Sequence, residues 1–136
     1  MMSPEERLER ILKAIDELES LSEEMPIVVE GKRDVEALGR MGIAKNVVSL
    51  SKGISVFAFC ESLTRNWNSV VILTDWDRKG GRLARKLKEA VEANGARPIE
   101  SIRTQLAYLA KKEVKDVESI PTFVQNLRNL AGVKQP

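Results

Sequence analysis

Val70-Val71-Ile72-Leu73 is a run of four apolar residues, three of them β-branched. It reads as a strand buried on both faces, and so demands a sheet with a layer of chain on either side. The run stops at Thr74-Asp75-Trp76-Asp77, passes a basic pair and Gly80-Gly81, and enters Arg82-Leu83-Ala84-Arg85-Lys86-Leu87, which has helix periodicity. Acidic groups therefore sit where a buried strand hands over to a helix, and in an open parallel sheet ligands bind beyond the carboxyl ends of the strands. If the chain stays extended there, Asp75 and Asp77 project to one side and Trp76 to the other. Two adjacent carboxylates repel unless something positive lies between them. A proton or an arginine would serve, and a divalent cation with oxygen ligands is the natural candidate.

The remaining chain supplies the sheet that such a strand needs. Ser3 is placed to cap a helix over residues 4–24, with Pro4 at its first position and Glu6 completing a capping box. Leu8, Ile11, Leu12, Ile15, Leu18 and Leu21 mark its apolar face, which suits either packing on the sheet or a dimer surface. Residues 26–31 form a first strand that, like the later one, is a β-branched run ending in a carboxylate, Glu30, and a glycine, Gly31. Asp34 is read as the cap of a helix over 35–41 rather than as a ligand. A second strand is expected over 45–50, closed by Ser51-Lys52-Gly53, and a helix over 55–65. After the strand at 70–74 come a helix over 79–94, a strand over 97–102 and a helix over 103–112. A charged connector over 114–120 precedes a last helix beginning at Pro121, with Phe123, Val124, Leu127 and Leu130 inward, and a loose tail over 133–136. Strands alternating with helices imply a three-layer α/β/α fold around a four-stranded parallel sheet, with an added N-terminal helix and C-terminal helices.

The length of 136 residues suits one domain with a real core and is short for two. Lys plus Arg is 22 and Asp plus Glu is 20, so a nucleic-acid partner must be argued from where the charges lie, not from the net +2. There is no histidine, which removes imidazole acid/base work and imidazole metal ligation. The lone Cys60 excludes an internal disulfide and Cys-rich zinc sites, fits a reducing interior, and is most simply a small core residue. No apolar run approaches the ~20 residues of a membrane span, so a cytoplasmic protein with no membrane partner is expected.

If the first and third strands are neighbours, Glu30, Asp75 and Asp77 converge at one edge of the sheet. With the second strand outside the first, the strand order reverses between them, where a ligand crevice forms. Gly31 and Gly80 lie just past the acids, where backbone must approach a ligand or turn sharply. Lys32, Arg33, Lys52, Arg78, Lys79 and Arg82 lie near the same edge. Carboxylates holding Mg²⁺ within a ring of cations suit a phosphodiester or polyphosphate substrate. Other phosphate-binding patterns fail: Glu30-Gly31-Lys32 lacks the P-loop spacing, and Gly80-Gly81 lacks the dinucleotide fingerprint. A receiver domain would place its acid pair on the first strand and a lone aspartate on the third, the reverse of this chain.

Val28-Val29-Glu30-Gly31-Lys32-Arg33-Asp34, about forty residues, then Leu73-Thr74-Asp75-Trp76-Asp77-Arg78-Lys79-Gly80: this combination resembles the Toprim domain. That domain is shared by type IA and type II topoisomerases, bacterial primases, OLD-family nucleases and ribosomal-RNA maturation nucleases. The resemblance covers residues 26–102, and Ser51-Lys52-Gly53 matches the polar glycine turn, with Gly53, that the family often has after its second strand. It is nearest to the small stand-alone Toprim proteins of archaea and bacteria. It implies a Rossmann-like single Toprim domain over 1–136. It also implies Mg²⁺, or Mn²⁺, at Asp75 and Asp77, and acid/base or metal-binding work for Glu30. The chain lacks a topoisomerase tyrosine module, a primase zinc module and a P-loop ATPase; its one tyrosine, Tyr108, is read as a packing residue. The expected function is Mg²⁺-dependent phosphodiester chemistry on nucleic acid, a nuclease acting on structured RNA sooner than DNA, with Lys32, Arg33, Lys52, Arg78, Lys79 and Arg82 on the phosphates. Two alternatives stand beside it: a metal-dependent nucleic-acid or nucleotide binder without turnover, alone or in a homodimer or larger complex, and acids satisfied by Lys and Arg in a purely structural site.

Overall fold

The computed structural model describes residues 1–50, 52–110 and 112–132; Ser51 of the glycine turn and the 133–136 tail lie outside the described residues. The elements in order are α1 (Pro4–Ser22), β1 (Ile27–Val29), α2 (Lys32–Arg40), β2 (Val47–Ser49), α3 (Val56–Leu63), β3 (Ser69–Ile72), α4 (Arg78–Ala93), β4 (Arg97–Ile99), α5 (Ser101–Ala110) and α6 (Ile120–Leu130). The four strands form one parallel sheet in the order β2-β1-β3-β4. The order reverses between β1 and β3, as the sequence reading required.

Strand alternation divides the core into two layers. Ile27 and Val29 of β1, with Val71 and Leu73, join the larger cluster, which also holds Ile11 and Leu18 of α1, Leu38 of α2, Ile102 and Leu106 of α5 and Phe123 of α6. Val28, Val70 and Ile72 face the other way, onto Cys60 of α3 and Ala84, Leu87 and Val91 of α4. Four helices thus cover one face and two cover the other. Cys60 is fully buried, and burial pushes its thiol pKa up, so it behaves as the small core residue expected of it.

Local chemistry explains most boundaries. Ser3 Oγ accepts from Glu6 N–H at 3.1 Å at the start of α1; no return bond from Glu6 completes a capping box. Ser55 caps α3 in the same way through Ala58 N–H. The junction of β4 and α5 differs from expectation. The chain leaves β4 at Ile99, not at 102, and α5 begins at Ser101. Ile102 is buried with Leu106, Leu109 and Ala110, a helical spacing, so core burial by a helix prevails over the longer strand expected through 102. At the far end, Leu130 is 72% exposed instead of inward: it is the last residue of α6, whose buried side ends at Leu127.

Candidate metal and nucleic-acid site

The carboxyl ends of β1 and β3 lie side by side, with Val28 in register with Ile72. Glu30 leaves β1 and Asp75 follows β3 across that pair. Their contact is direct: Asp75 N–H donates to Glu30 Oε2 at 2.8 Å. Asp75 Oδ1 in turn accepts from Val117 N–H at 3.0 Å. Asp77 is the N-cap of α4, its Oδ1 accepting from Gly80 N–H at 2.7 Å. β3 has ended by then and the chain bends at Trp76 and Asp77 to enter α4, where Asp77, its own backbone still extended, sets one carboxylate oxygen on the helix start.

Asp34 is also placed differently from expectation. α2 starts at Lys32 with Gly31 as its N-cap, so Asp34 is the third helical residue, and its Oδ2 accepts from Gly31 N–H at 3.1 Å. It satisfies a free amide at the helix start from inside the helix, the return half of a capping box. It is nearly buried, and burial raises its pKa, with Glu30, Glu118 and Asp116 adding to the rise.

The loop carrying the acid pair is held from three directions. Thr74 is fully buried and its hydroxyl donates to Gly80 O at 2.8 Å. A Cβ on Gly80 would lie 1.9 Å from Asp75 O, so only glycine lets α4 begin this close to the loop. Arg103 of α5 donates through Nε to Thr74 O at 3.1 Å and through Nη2 to Asp75 O at 2.8 Å. Trp76 donates its indole N–H to Val114 O and its backbone N–H to Lys115 O. Gly31, by contrast, has extended backbone with open space around its missing Cβ, so neither a sharp turn nor a protein neighbour requires glycine there. Gly53 sits at φ +82°, a turn that favours glycine.

Charge at this edge is unbalanced. Burial raises the Asp75 pKa to about 7, and Glu30, Asp34 and Asp116 push the same way against the lowering bond from Val117 N–H. Among the described residues none of Glu30, Asp34, Asp75, Asp77 or Asp116 is in an ion pair. The cations ring the edge without neutralising it. Lys32, Lys52, Arg78, Lys79 and Arg82 are exposed and in no ion pair among the described residues, and Arg33 makes a loose 3.7 Å pair with Glu118.

Whether these acids suit a hard cation can be judged from their oxygens. Glu30, Asp75 and Asp77 each have one oxygen pinned by a backbone N–H and the second without a partner among the described residues. Carboxylate oxygens are what Mg²⁺ takes, and it commonly binds through one or two of them while keeping its waters. The donor chemistry fits. The geometry is looser than three converging ligands, since no group of three acids among the described residues is close enough to hold an ion by itself. Glu30 and Asp75 are brought together by a hydrogen bond; Asp77 lies at the same edge with one oxygen engaged in capping α4.

Asp116, the Val117 amide and Arg103 escaped the sequence reading. The only trace was Asp116-x-x-Ser119, a cap pattern in the charged connector, where Asp116 Oδ1 does accept from Ser119 N–H.

A Toprim domain model matches residues 26–118, which runs from β1 through the connector that closes the site. The chain belongs to the Toprim family. Its similar proteins include UPF0292 proteins of archaea. One from Methanosarcina barkeri is 46% identical over 93% of this chain and 88% of that protein. Another, from Methanocaldococcus jannaschii, is 32% identical over 90% of this chain and 96% of its own length. A solved structure of an Aquifex aeolicus protein is 34% identical, covers 79% of this chain and 94% of that one, and superposes with a TM-score of 0.67. Toprim membership carries metal-dependent, nucleic-acid-related function in general terms, with Mg²⁺ bound through acidic residues. No helix among the described residues is long and apolar enough to cross a membrane.

Proposed function

We propose that this Toprim protein carries out Mg²⁺-dependent phosphodiester chemistry on nucleic acid, as a nuclease acting on structured RNA in the cytoplasm. The observation that carries the reading is the contact of Glu30 with the Asp75 amide at the strand-order reversal, amid acids that no cation pairs. Asp75 and Asp77 would hold the ion through their unpinned oxygens, and Glu30 would complete the set. When bound, Mg²⁺ polarises a phosphoryl oxygen and offsets the charge that builds on it. Glu30 Oε2 is held by the Asp75 amide, which leaves Oε1 to accept or release the proton of the attacking or leaving oxygen. Lys32, Lys52, Arg78, Lys79 and Arg82 would hold flanking phosphates, and Arg33 would do so on release from Glu118; binding should then weaken steeply with salt. Arg103 and the 114–117 connector keep the acid loop in place and exclude water from its buried side.

The test is cleavage of a panel of structured RNAs with Mg²⁺, comparing the wild type with Asp75→Asn/Asp77→Asn. The reading expects cleavage that needs the ion and falls by at least a hundredfold in the double variant. Cleavage at the wild-type rate by that variant, or in excess chelator, would sink it. One observation favours a binder without turnover: no three acids converge among the described residues. In that case the same panel is bound in a Mg²⁺-dependent way and stays intact with both Mg²⁺ and Mn²⁺.

A further inference from the structure

The two-helix side of the sheet carries a second feature. Between α3 and α4 lies a groove of about 350 Å³ lined by Val56, Phe57, Lys86, Glu89, Ala90 and Ala93. Phe57 is 52% exposed, as is Ile54 just before the helix. An aromatic ring half in water at the lip of an apolar groove costs solvation and does nothing for the core.

α4 links the groove to the acid edge. It is capped by Asp77 at that edge, and Lys79, Arg82 and Lys86 follow at helical spacings of three and four, so one stripe of cations runs along α4 to Ala90 and Ala93 in the groove. None of these three cations is in an ion pair among the described residues, although Lys88 on the neighbouring face pairs with Glu100. Unpaired cations leading from a phosphate-chemistry site to an exposed ring describe a track for a strand: phosphates on the stripe, a base on the ring. Glu89, also without an ion pair among the described residues, adds an acceptor for a base N–H such as uracil N3–H. A second copy of the chain fits less well, since a two-fold contact on this face would set the Lys79–Lys86 stripe against itself or beside itself.

We infer that the α3/α4 groove is a subsite for single-stranded RNA, with an unstacked base on Phe57 and its flanking phosphates on Lys86 and Arg82. This rests on the nucleic-acid reading of the acid edge and narrows its substrate to structured RNA with an unpaired segment beside the reacting phosphate. A duplex, whose bases are stacked inside, offers the ring nothing.

The full chain is titrated against fluorescein-labelled oligouridine and against a fully paired RNA of equal length, by anisotropy in excess EDTA. Phe57→Ala should weaken oligouridine binding about tenfold, as expected for one stacked base. It should change duplex binding by less than about twofold, and Phe57→Trp should restore the single-strand affinity. Lys86→Glu should also weaken binding and lower the salt slope by about one. Wild-type affinity for oligouridine in Phe57→Ala, an equal loss for duplex and single strand, or no binding of oligouridine by the wild type each overturns the proposal. So does a dimer that Phe57→Ala turns into monomer with RNA affinity unchanged. Because the titration excludes divalent ions, it is independent of the metal reading. A groove that passes while Asp75→Asn/Asp77→Asn still cleaves leaves the subsite standing and removes the metal site; the opposite pattern removes only the subsite.

Discussion

At the residue scale, Gly80 and Asp75 carry the most physical content. A methyl at Gly80 meets the Asp75 carbonyl, which is backbone and cannot swing aside, so Gly80→Ala must push α4 away from the acid loop. A loss of about 2 kcal/mol is expected, the usual cost of overpacking, read as a lower midpoint in denaturant. Gly31→Ser is the control: the space there is open and a serine at an N-cap is favoured, so stability should hold or rise slightly. Asp75 makes a pH prediction. Its folded pKa of about 7 lies above the ordinary 3.8, so between those values the folded state holds a proton that the unfolded chain has lost. Stability contributed by this group is therefore present below about pH 4 and lost as pH rises through about 7. Without divalent ions, Asp75→Asn should melt above the wild type at pH 8 and by a clearly smaller margin at pH 5. A wild type whose melting temperature relative to Asp75→Asn is the same at both pH values would contradict this account of Asp75.

At the element scale, the acid loop depends on chain that follows it by dozens of residues. Arg103 on α5 bonds two successive carbonyls of the loop, and the 114–117 connector bonds Asp75 and Trp76. Arg103→Lys keeps the charge but loses the planar fork that reaches both carbonyls. The expected result is a roughly tenfold loss of Mn²⁺ affinity in a calorimetric titration, typical of a lost orienting contact, with the sheet intact by circular dichroism. Unchanged affinity would make Arg103 a purely structural tie. These contacts also mark where the sequence stopped being legible. β1 and β3 announced themselves through uninterrupted β-branched runs, and the acids ended them in plain view. Arg103 looked like the start of another helix and Val117 like part of a solvated connector, because their partners on the acid loop are 28 and 42 residues away in the chain. The turn at Asp77 was equally hidden: Asp-x-Asp alone does not say that its second member caps a helix. Where β4 gives way to α5, the six residues 97–102 satisfy strand and helix patterns alike, and only burial of Ile102 decides between them.

At the scale of the whole molecule, the sheet divides the protein into a thick side and a thin side. α1, α2, α5 and α6 build a continuous core on one face, and from that core the connector reaches over to steady the acid loop. α3 and α4 cover the other face alone, which leaves Phe57 at the surface and the unpaired cations of α4 in water. The parallel sheet and its two buried layers were readable from the alternation of short apolar runs with helices, and of the strand order only the adjacency of β1 and β3 was. The unequal helix layers were not, since amphipathic stripes do not say which face of a sheet they cover. The central claim is that the edge between β1 and β3 holds a divalent ion. Its most direct measurement is the anomalous density of Mn²⁺ in crystals of the full chain. The account predicts a peak within about 2–3 Å of a carboxylate oxygen of Asp75, with Glu30 or Asp77 as a further ligand. A map with no peak at this edge, or with Mn²⁺ bound only elsewhere on the protein, would contradict it.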